Sequence, residues 1–376
     1  MIEYLPFSPL FRLAQPKPKP EIINLRQIPD TKPWIVPPLK IGTVDLKLSG
    51  IEDEWVKNPP KPHNSYNFLL NHPIISSEGG IIQTREGFVM EDSLDHTQAK
   101  LDLYKISETG IALPKPKEQL HGCWLSLLLG NQDNYFHFLL MNLGRLSQLT
   151  PQDIEKIDGV LLPEDLTNAA LQALRFALLH VFKRKNITVK LVSRGQSFKI
   201  DHLFLPWLPV SARAYTHSGV VQFLNHLYPK TSSKNWPKRF YIDRRNAQNR
   251  VLINENELIE ALKSRGFIPI QLEKLSFGQQ CELFANADFI IGAHGAGLTN
   301  IVFSSPKTII IELIPHALVR WCYRQLAMVN DLIYDCILTQ SYANEMTPPP
   351  WAAHHVFIDH VMKVIDLYFL DHLNHN

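Results

Sequence analysis

The sequence predicts an α/β protein built as two domains with a cleft between them, and three observations carry that prediction. The 376 residues exceed one ordinary core and suit two domains of roughly 150–200 residues each. Beyond residue 239, apolar strand-length runs alternate with helix-length segments, the mark of βαβ units and a parallel sheet. Within that series residues 289–300 read Phe-Ile-Ile-Gly-Ala-His-Gly-Ala-Gly-Leu-Thr-Asn, an apolar strand running into a loop with Gly292, Gly295 and Gly297 and then into a helical segment. Glycines let the backbone turn and let a ligand approach the main chain. The free N–H groups and positive end of the helix that follows favour an anion, typically a phosphate.

Taken in order, residues 1–63 are proline-rich (Pro16, Pro18 and Pro20 alternate with lysines) and predict an extended arm packed over the first domain. That domain takes residues 64–230. Runs at Gly80–Thr84 and Gly87–Met90 predict hairpins, His121–Leu129 a strand and Asn134–Leu149 a helix. Val160–Pro163 reads as a buried strand. Leu171, Leu174, Leu178 and Phe182 mark a helix with Thr167 as N-cap, and Ile187–Val192 and His202–Leu205 read as strands. The polar run 229–238, with proline at both sides, is the linker.

The second domain takes residues 231–350. Its series is strand Phe240–Ile242, helix Glu255–Arg265 stopped by Gly266, strand Ile268–Leu272, helix Phe277–Ala285 and strand Phe289–Ile291 with the glycine loop. Strand Thr308–Leu313, helix Leu318–Val329 and strand Ile333–Ile337 close it. Residues 351–376 predict a last amphipathic helix, packed back on the first domain.

Hydrophobic content of 45% and charged content of 20% fit a globular chain, and a net charge of +2 gives no footprint for a nucleic-acid partner. No apolar stretch reaches the ~18–20 residues of a membrane span, and the first residues lack a signal-peptide layout. Cys123, Cys281, Cys322 and Cys336 are scattered, without a CxxC pair, and read as buried reduced thiols. The expected setting is the cytoplasm, with peripheral membrane association compatible with it. No metal-ligand spacing occurs, and no metal is expected.

Ligands of an open parallel sheet gather at the carboxyl ends of its strands. Three polar features fall there: Arg244-Arg245 after the first strand of the second domain, His294 with Gly295, Ala296 and Gly297 after the third, and Glu312 near the end of the fourth. Paired guanidiniums can neutralise a diphosphate, and a buried carboxylate needs donors that a ribose diol would supply. Each residue alone also fits a bland role, as an ion pair or a surface turn. On the first domain, steps of three and four place Asn134, His137, Met141 and Arg145 on one helical stripe. His137, just after Asp133, suits a general base, although a satisfied core histidine is the commoner case.

These segments together resemble glycosyltransferase family 61. The matches are Asn134-Tyr135-Phe136-His137 through Leu143-Gly144-Arg145-Leu146, then Phe240-Tyr241-Ile242-Asp243-Arg244-Arg245, then Gly292 to Asn300, then Ile311-Glu312-Leu313-Ile314-Pro315. The resemblance implies a GT-B fold, two Rossmann-like domains facing an interdomain cleft. It implies inverting, metal-independent transfer from a nucleotide sugar, commonly a UDP-sugar, to a saccharide acceptor, with no cofactor beyond the donor. Bacterial members of the family serve capsular and other surface polysaccharides. In that frame His137 is the base, His294 meets the phosphates or the sugar, Arg244, Arg245 and residues 295–297 hold the diphosphate, Glu312 holds the ribose, and Asn134 and Arg145 lie on the acceptor side. The family helix usually carries an acid where this chain has Met141 and a proline where it has Gly144.

Two other readings compete. Glu312 lies about 20 residues past Gly292, as in a dinucleotide oxidoreductase, but the glycines fall as Gly-x-x-Gly-x-Gly rather than Gly-x-Gly-x-x-Gly. Met141 keeps open a sugar-nucleotide-binding scaffold that has lost its base.

Overall fold

The computed structural model describes residues 10–11, 22–30, 39, 42, 45, 47, 65–77, 79–85, 87–90, 93, 111–129, 134–183, 186–208, 216–228, 234–344, 346–348 and 351–374. The chain forms two compact units, residues 1–30 with 63–209 and residues 31–62 with 210–376.

The first unit is built on a mixed sheet. Its strands are β1 (Leu10–Phe11), β2 (Ile22–Ile28), β3 (Ser65–Asn71), β4 (Ile74–Ser76), β5 (Ile82–Gln83), β6 (Val89–Met90), β7 (Glu118–Ser126), β8 (Gly159–Pro163), β9 (Thr188–Val192) and β10 (Ser197–Trp207). The predicted β5–β6 hairpin is present. Strand β10 lies centrally, antiparallel to β3 and β4 and parallel to β7. Among the described strands the parallel part is thus β10-β7-β8-β9 and the two-residue β1–β6 pair. The expectation of a Rossmann-like first domain is corrected to a sheet half antiparallel, because the hairpin segments join it edge to edge. Its core gathers Phe68, Ile75, Trp124, Leu161, Phe198 and Leu203.

The segment predicted as one helix over 134–149 is three pieces. Tyr135–His137 (α1) is α-helical, Phe138–Asn142 has π geometry, and Leu143–Gln148 is 3-10. A wider turn followed by a tighter one rotates every later side chain relative to an α-helical stripe. Pro151–Lys156 (α2) follows, opened by a capping box of Thr150 and Asp153, and Asn168–Phe182 (α3) is capped by Thr167 as expected.

The second unit matches the predicted alternation closely. Its elements are Ser218–Leu227 (α4), β11 (Arg239–Ile242), Glu255–Lys263 (α5), β12 (Ile268–Ile270), Phe277–Asn286 (α6), β13 (Phe289–Ala293), β14 (Ile309–Pro315), Cys322–Val329 (α7), β15 (Ile333–Ser341), β16 (His354–His355) and Ile358–Asn374 (α8). Gly266 ends α5 with φ of +77°, where its N–H reaches Lys263 O, and Ser276 with Gln279 forms the capping box of α6. The sheet order is β12-β11-β13-β14-β15-β16, parallel except for the last strand. Numbered from β11, this is the doubly wound order 2-1-3-4-5, whose direction reverses between β11 and β13. All of β13 and β14 is buried, as a parallel sheet covered on both faces requires.

Three boundary expectations are corrected. Helix α4 belongs to the second unit, where Asn225 donates to Val302 O, so the division falls at residues 209–210 rather than near 230. Helix α8 packs on the second sheet, with Val361, Val364, Ile365 and Tyr368 against Phe289, Ile291 and Ile311. The described residues of the arm split between the units. Gly42 donates to Asp335, and Asp45 accepts from Leu338 N and meets His360 Nε2 at 3.0 Å, all in the second unit. In the linker, Trp236 is buried and its indole donates to Glu282 at 3.0 Å. Asp133 and the arm prolines Pro16, Pro18 and Pro20 lie outside the described residues.

Candidate anion-binding site on the second sheet

The reversal point between β11 and β13 is where a doubly wound sheet leaves a crevice at its carboxyl end. Arg244 follows β11 and His294 follows β13, so the register of the sheet brings both to that place. Arg244 Nη1 donates to His294 O at 2.6 Å and its Nη2 to Asn249 O at 3.1 Å. Arg250 Nε donates to the same His294 oxygen at 3.1 Å. Two guanidiniums therefore meet on one carbonyl. Burial lowers the pKa of both, and for Arg250 the charge of Arg244 lowers it further. A local excess of partly desolvated positive charge is what a diphosphate would neutralise.

Beneath them the main chain is fixed. Glu255 accepts from Arg244 N at 2.7 Å and from Tyr241 OH at 2.8 Å, and burial raises its carboxyl pKa. His294 N donates to Leu313 O, and Tyr323 OH to Gly295 O at 2.7 Å. Gly295 has no room for a side chain, because a Cβ there would lie 2.7 Å from Arg244 Cζ. The glycine is needed for close approach and not for a special backbone angle, since its φ is 175°. The helical segment expected after the loop is a 3-10 helix, Ala296–Phe303, which opens with Ala296 and Gly297 half-buried.

His294 Nδ1 lies 2.5 Å from Glu312 Oε1, and Tyr334 OH donates to Glu312 Oε2 at 2.5 Å. The carboxylate thereby fixes a proton on Nδ1 and leaves Nε2 as the ring's remaining polar atom. Burial, and then the charge of Glu312, raises the Tyr334 pKa well above its ordinary value, so this phenol stays a donor. Glu312 is 0% exposed with both oxygens engaged, so the expected grip on a ribose is corrected: it orients His294 from below.

Arg245 is corrected as well. Consecutive residues leaving a strand point to opposite sides. Arg245 is exposed, with Nη2 on Asp243 Oδ2 at 2.7 Å and Nη1 on Asn256 Oδ1 at 3.3 Å. Burial alone would raise the Asp243 carboxyl, but Arg245 holds it below the usual range. Arg244, His294, Glu312 and the glycine loop converge; Arg245 does not. Sequence reasoning missed Arg250, although it lies six residues beyond Arg244. It also missed Tyr323 and Tyr334, for which no local pattern exists.

In the first unit, His137 is half-buried with Nδ1 3.0 Å from Met141 Sδ, so these two share a face as expected. Asn134 is exposed, but its side chain caps the helix start at Phe136 N. Arg145 is only 6% exposed and donates to Ser126 O and Leu128 O, and burial lowers its pKa to about 10. The π turn has rotated it off the His137 stripe and into the core, which corrects its placement on an open acceptor face. Among the described residues no three His, Cys, Asp or Glu side chains cluster as metal ligands, all four cysteines are free and buried, and no helix is long and apolar enough to cross a membrane.

Comparison with known proteins follows the same landmarks. The model of the Glycosyltransferase 61 family matches residues 135–311. The "EGF domain-specific O-linked N-acetylglucosamine transferase" of Gallus gallus is 30% identical over 121 residues, 31% of this chain and 22% of that protein. Its namesake in Drosophila melanogaster is 35% identical over 101 residues, 25% of this chain and 18% of that protein. The "Protein O-linked-mannose beta-1,4-N-acetylglucosaminyltransferase 2" of Pan troglodytes is 32% identical over 114 residues, 28% and 20% respectively. The alignments thus span about a fifth of the length of these relatives, which are animal proteins named for transfer to protein acceptors rather than bacterial capsule enzymes.

Proposed function

From the match of the Glycosyltransferase 61 model to residues 135–311 we propose that this chain transfers a sugar from a nucleotide-diphosphate donor, UDP-linked, bound on the second unit. The observation that carries the reading is the meeting of Arg244 and Arg250 on the His294 carbonyl, at the reversal point of a parallel sheet. Their charges stabilise the diphosphate as it leaves, the task that a divalent cation performs in metal-dependent transfer. The first N–H groups of the Ala296–Phe303 turn add donors. His294, aligned by Glu312, meets a phosphate or the sugar through Nε2.

The reaction in this proposal is direct displacement at the anomeric carbon with inversion. His137, on the first unit, takes the proton of the acceptor hydroxyl. Its neighbour Met141 has no proton to exchange, so in this proposal the base is the histidine and not residue 141. The doubly wound order of the second sheet supports the GT-B class, and the cytoplasmic setting belongs to the same proposal. The names of the relatives favour N-acetylglucosamine as the sugar. For the acceptor, a saccharide of a surface polysaccharide is the first reading and a glycosylated or bare protein the second, favoured by those names.

Calorimetric titration of the whole chain with UDP, UDP-N-acetylglucosamine and NADH, in chelator, tests the donor. Saturable binding of the uridine nucleotides without NADH is the expected result. Binding of NADH alone would favour the dinucleotide reading. Donor binding without hydrolysis or transfer, over a panel of saccharide and peptide acceptors, would favour the scaffold reading. The anomeric configuration of the product, read by NMR, tests inversion.

A further inference from the structure

Arg250 has φ of +52°, a left-handed conformation that side chains seldom adopt and that persists only where the surroundings enforce it. The enforcement comes from a distant part of the chain, residues 351–356. Arg250 N donates to Trp351 O at 3.4 Å, His354 N to Val251 O at 2.9 Å, and Ile253 N to His354 O at 2.9 Å. Asn254 completes this ladder with its side chain, whose Nδ2 donates to Val356 O at 2.8 Å and whose Oδ1 accepts from Val356 N at 3.1 Å. The segment is itself tied to the sheet: β16 pairs with β15, and His354, 0% exposed, has Nδ1 2.6 Å from Thr339 Oγ1. Burial, and then the charge of Arg244, pulls the His354 pKa down to about 4, so the imidazole is neutral near the arginines.

We propose that residues 351–356 form a clip that holds Arg250 in its anion-binding pose, with Asn254 and His354 as positioning residues. The clip rests on reading this loop as a nucleotide-diphosphate site, and it lies beyond the residues 135–311 matched by the family. Donor affinity in this chain then depends on a segment a hundred residues downstream of the arginine it positions, through backbone pairing rather than through contact with the ligand.

The test is a double-mutant cycle on the full chain, read by calorimetry with UDP and with inorganic pyrophosphate as probes. Serine at position 254 removes both side-chain bonds to Val356 yet is a good N-cap for α5, which limits the cost to the fold. Asn254→Ser should weaken UDP about tenfold, the loss expected when two neutral hydrogen bonds no longer hold Arg250. In an Arg250→Ala background the same substitution should change UDP affinity by less than about twofold, since there is no guanidinium left to misplace. His354→Gln, a second variant should Asn254→Ser fold poorly, should behave alike. Equal losses in both backgrounds, or full affinity in Asn254→Ser with Arg250 intact, would overturn the clip while leaving the diphosphate reading in place. A wild-type chain that binds neither probe would overturn that reading, and the clip with it.

Discussion

Gly295→Ala separates binding from folding at this site. The new methyl would lie 2.7 Å from Arg244 Cζ and 3.3 Å from its Nε, so the guanidinium has to leave its place. The backbone is indifferent, because φ of 175° is open to alanine. The displaced group is the far end of a flexible side chain. The fold therefore loses about 1 kcal/mol, a fall of roughly 2–4 °C in the Tm of a unit of about 150–250 residues. The ligand loses more. A charge-assisted contact is worth roughly 1.5–3 kcal/mol, and at about 2 kcal/mol the UDP Kd rises about 30-fold. Calorimetry for Kd and differential scanning fluorimetry without ligand measure the two effects on one preparation. A native Tm with unchanged UDP affinity would refute the placement of Arg244 against the diphosphate. A large fall in Tm that accounts for the whole loss of binding would refute the separation of the two roles.

Four further outcomes are expected. Arg244→Ala should raise the UDP Kd by about 30-fold or more, and Arg245→Ala by less than about threefold, since Arg245 faces Asp243 and Asn256; equal losses would restore the paired-arginine grip. Glu312→Ala, which strips the acceptor from Tyr334 and His294 in the interior, should cost about 3–5 kcal/mol in urea unfolding, and Glu312→Gln distinctly less. The His354 pKa falls from 6.5 unfolded to about 4 folded, so the unfolded chain binds the extra proton between these values. Stability is then complete above pH 6.5 and is lost as pH falls toward 4, by about 3 kcal/mol, a slope that His354→Gln should remove from the acid limb of Tm against pH. His137→Ala should lower transfer by roughly 10²–10⁴-fold with UDP affinity unchanged; retained turnover would exclude it as the base.

Much of the second unit was legible in the sequence because its strands are buried on both faces and its helices are punctuated. Ile309-Ile310-Ile311 admits little but a central parallel strand, and Ser276 and Gly266 mark helix ends through local hydrogen bonds. The convergence of Arg244, His294 and Glu312 was legible for the same reason, since a parallel register delivers strand ends to one edge. The helix at 134–149 was misread because π and 3-10 turns leave no signature in apolar spacing, and Arg145 went to the wrong face with them. Arg245 was misassigned because two adjacent residues look alike in a string and point apart in space.

By itself the sequence determined the alternation of strands and helices beyond residue 239, the glycine loop with its histidine and the likeness to the family whose model matches residues 135–311, all of which depend on neighbours within a few turns of chain. Only the tertiary structure decided that Arg250 joins Arg244, that Glu312 serves His294, that helix α8 covers the second sheet, and that residues 351–356 brace the arginine loop. These are pairings between segments far apart in the chain. Their partners are selected by which polar groups remain unsatisfied once the sheet and its helices have closed around them.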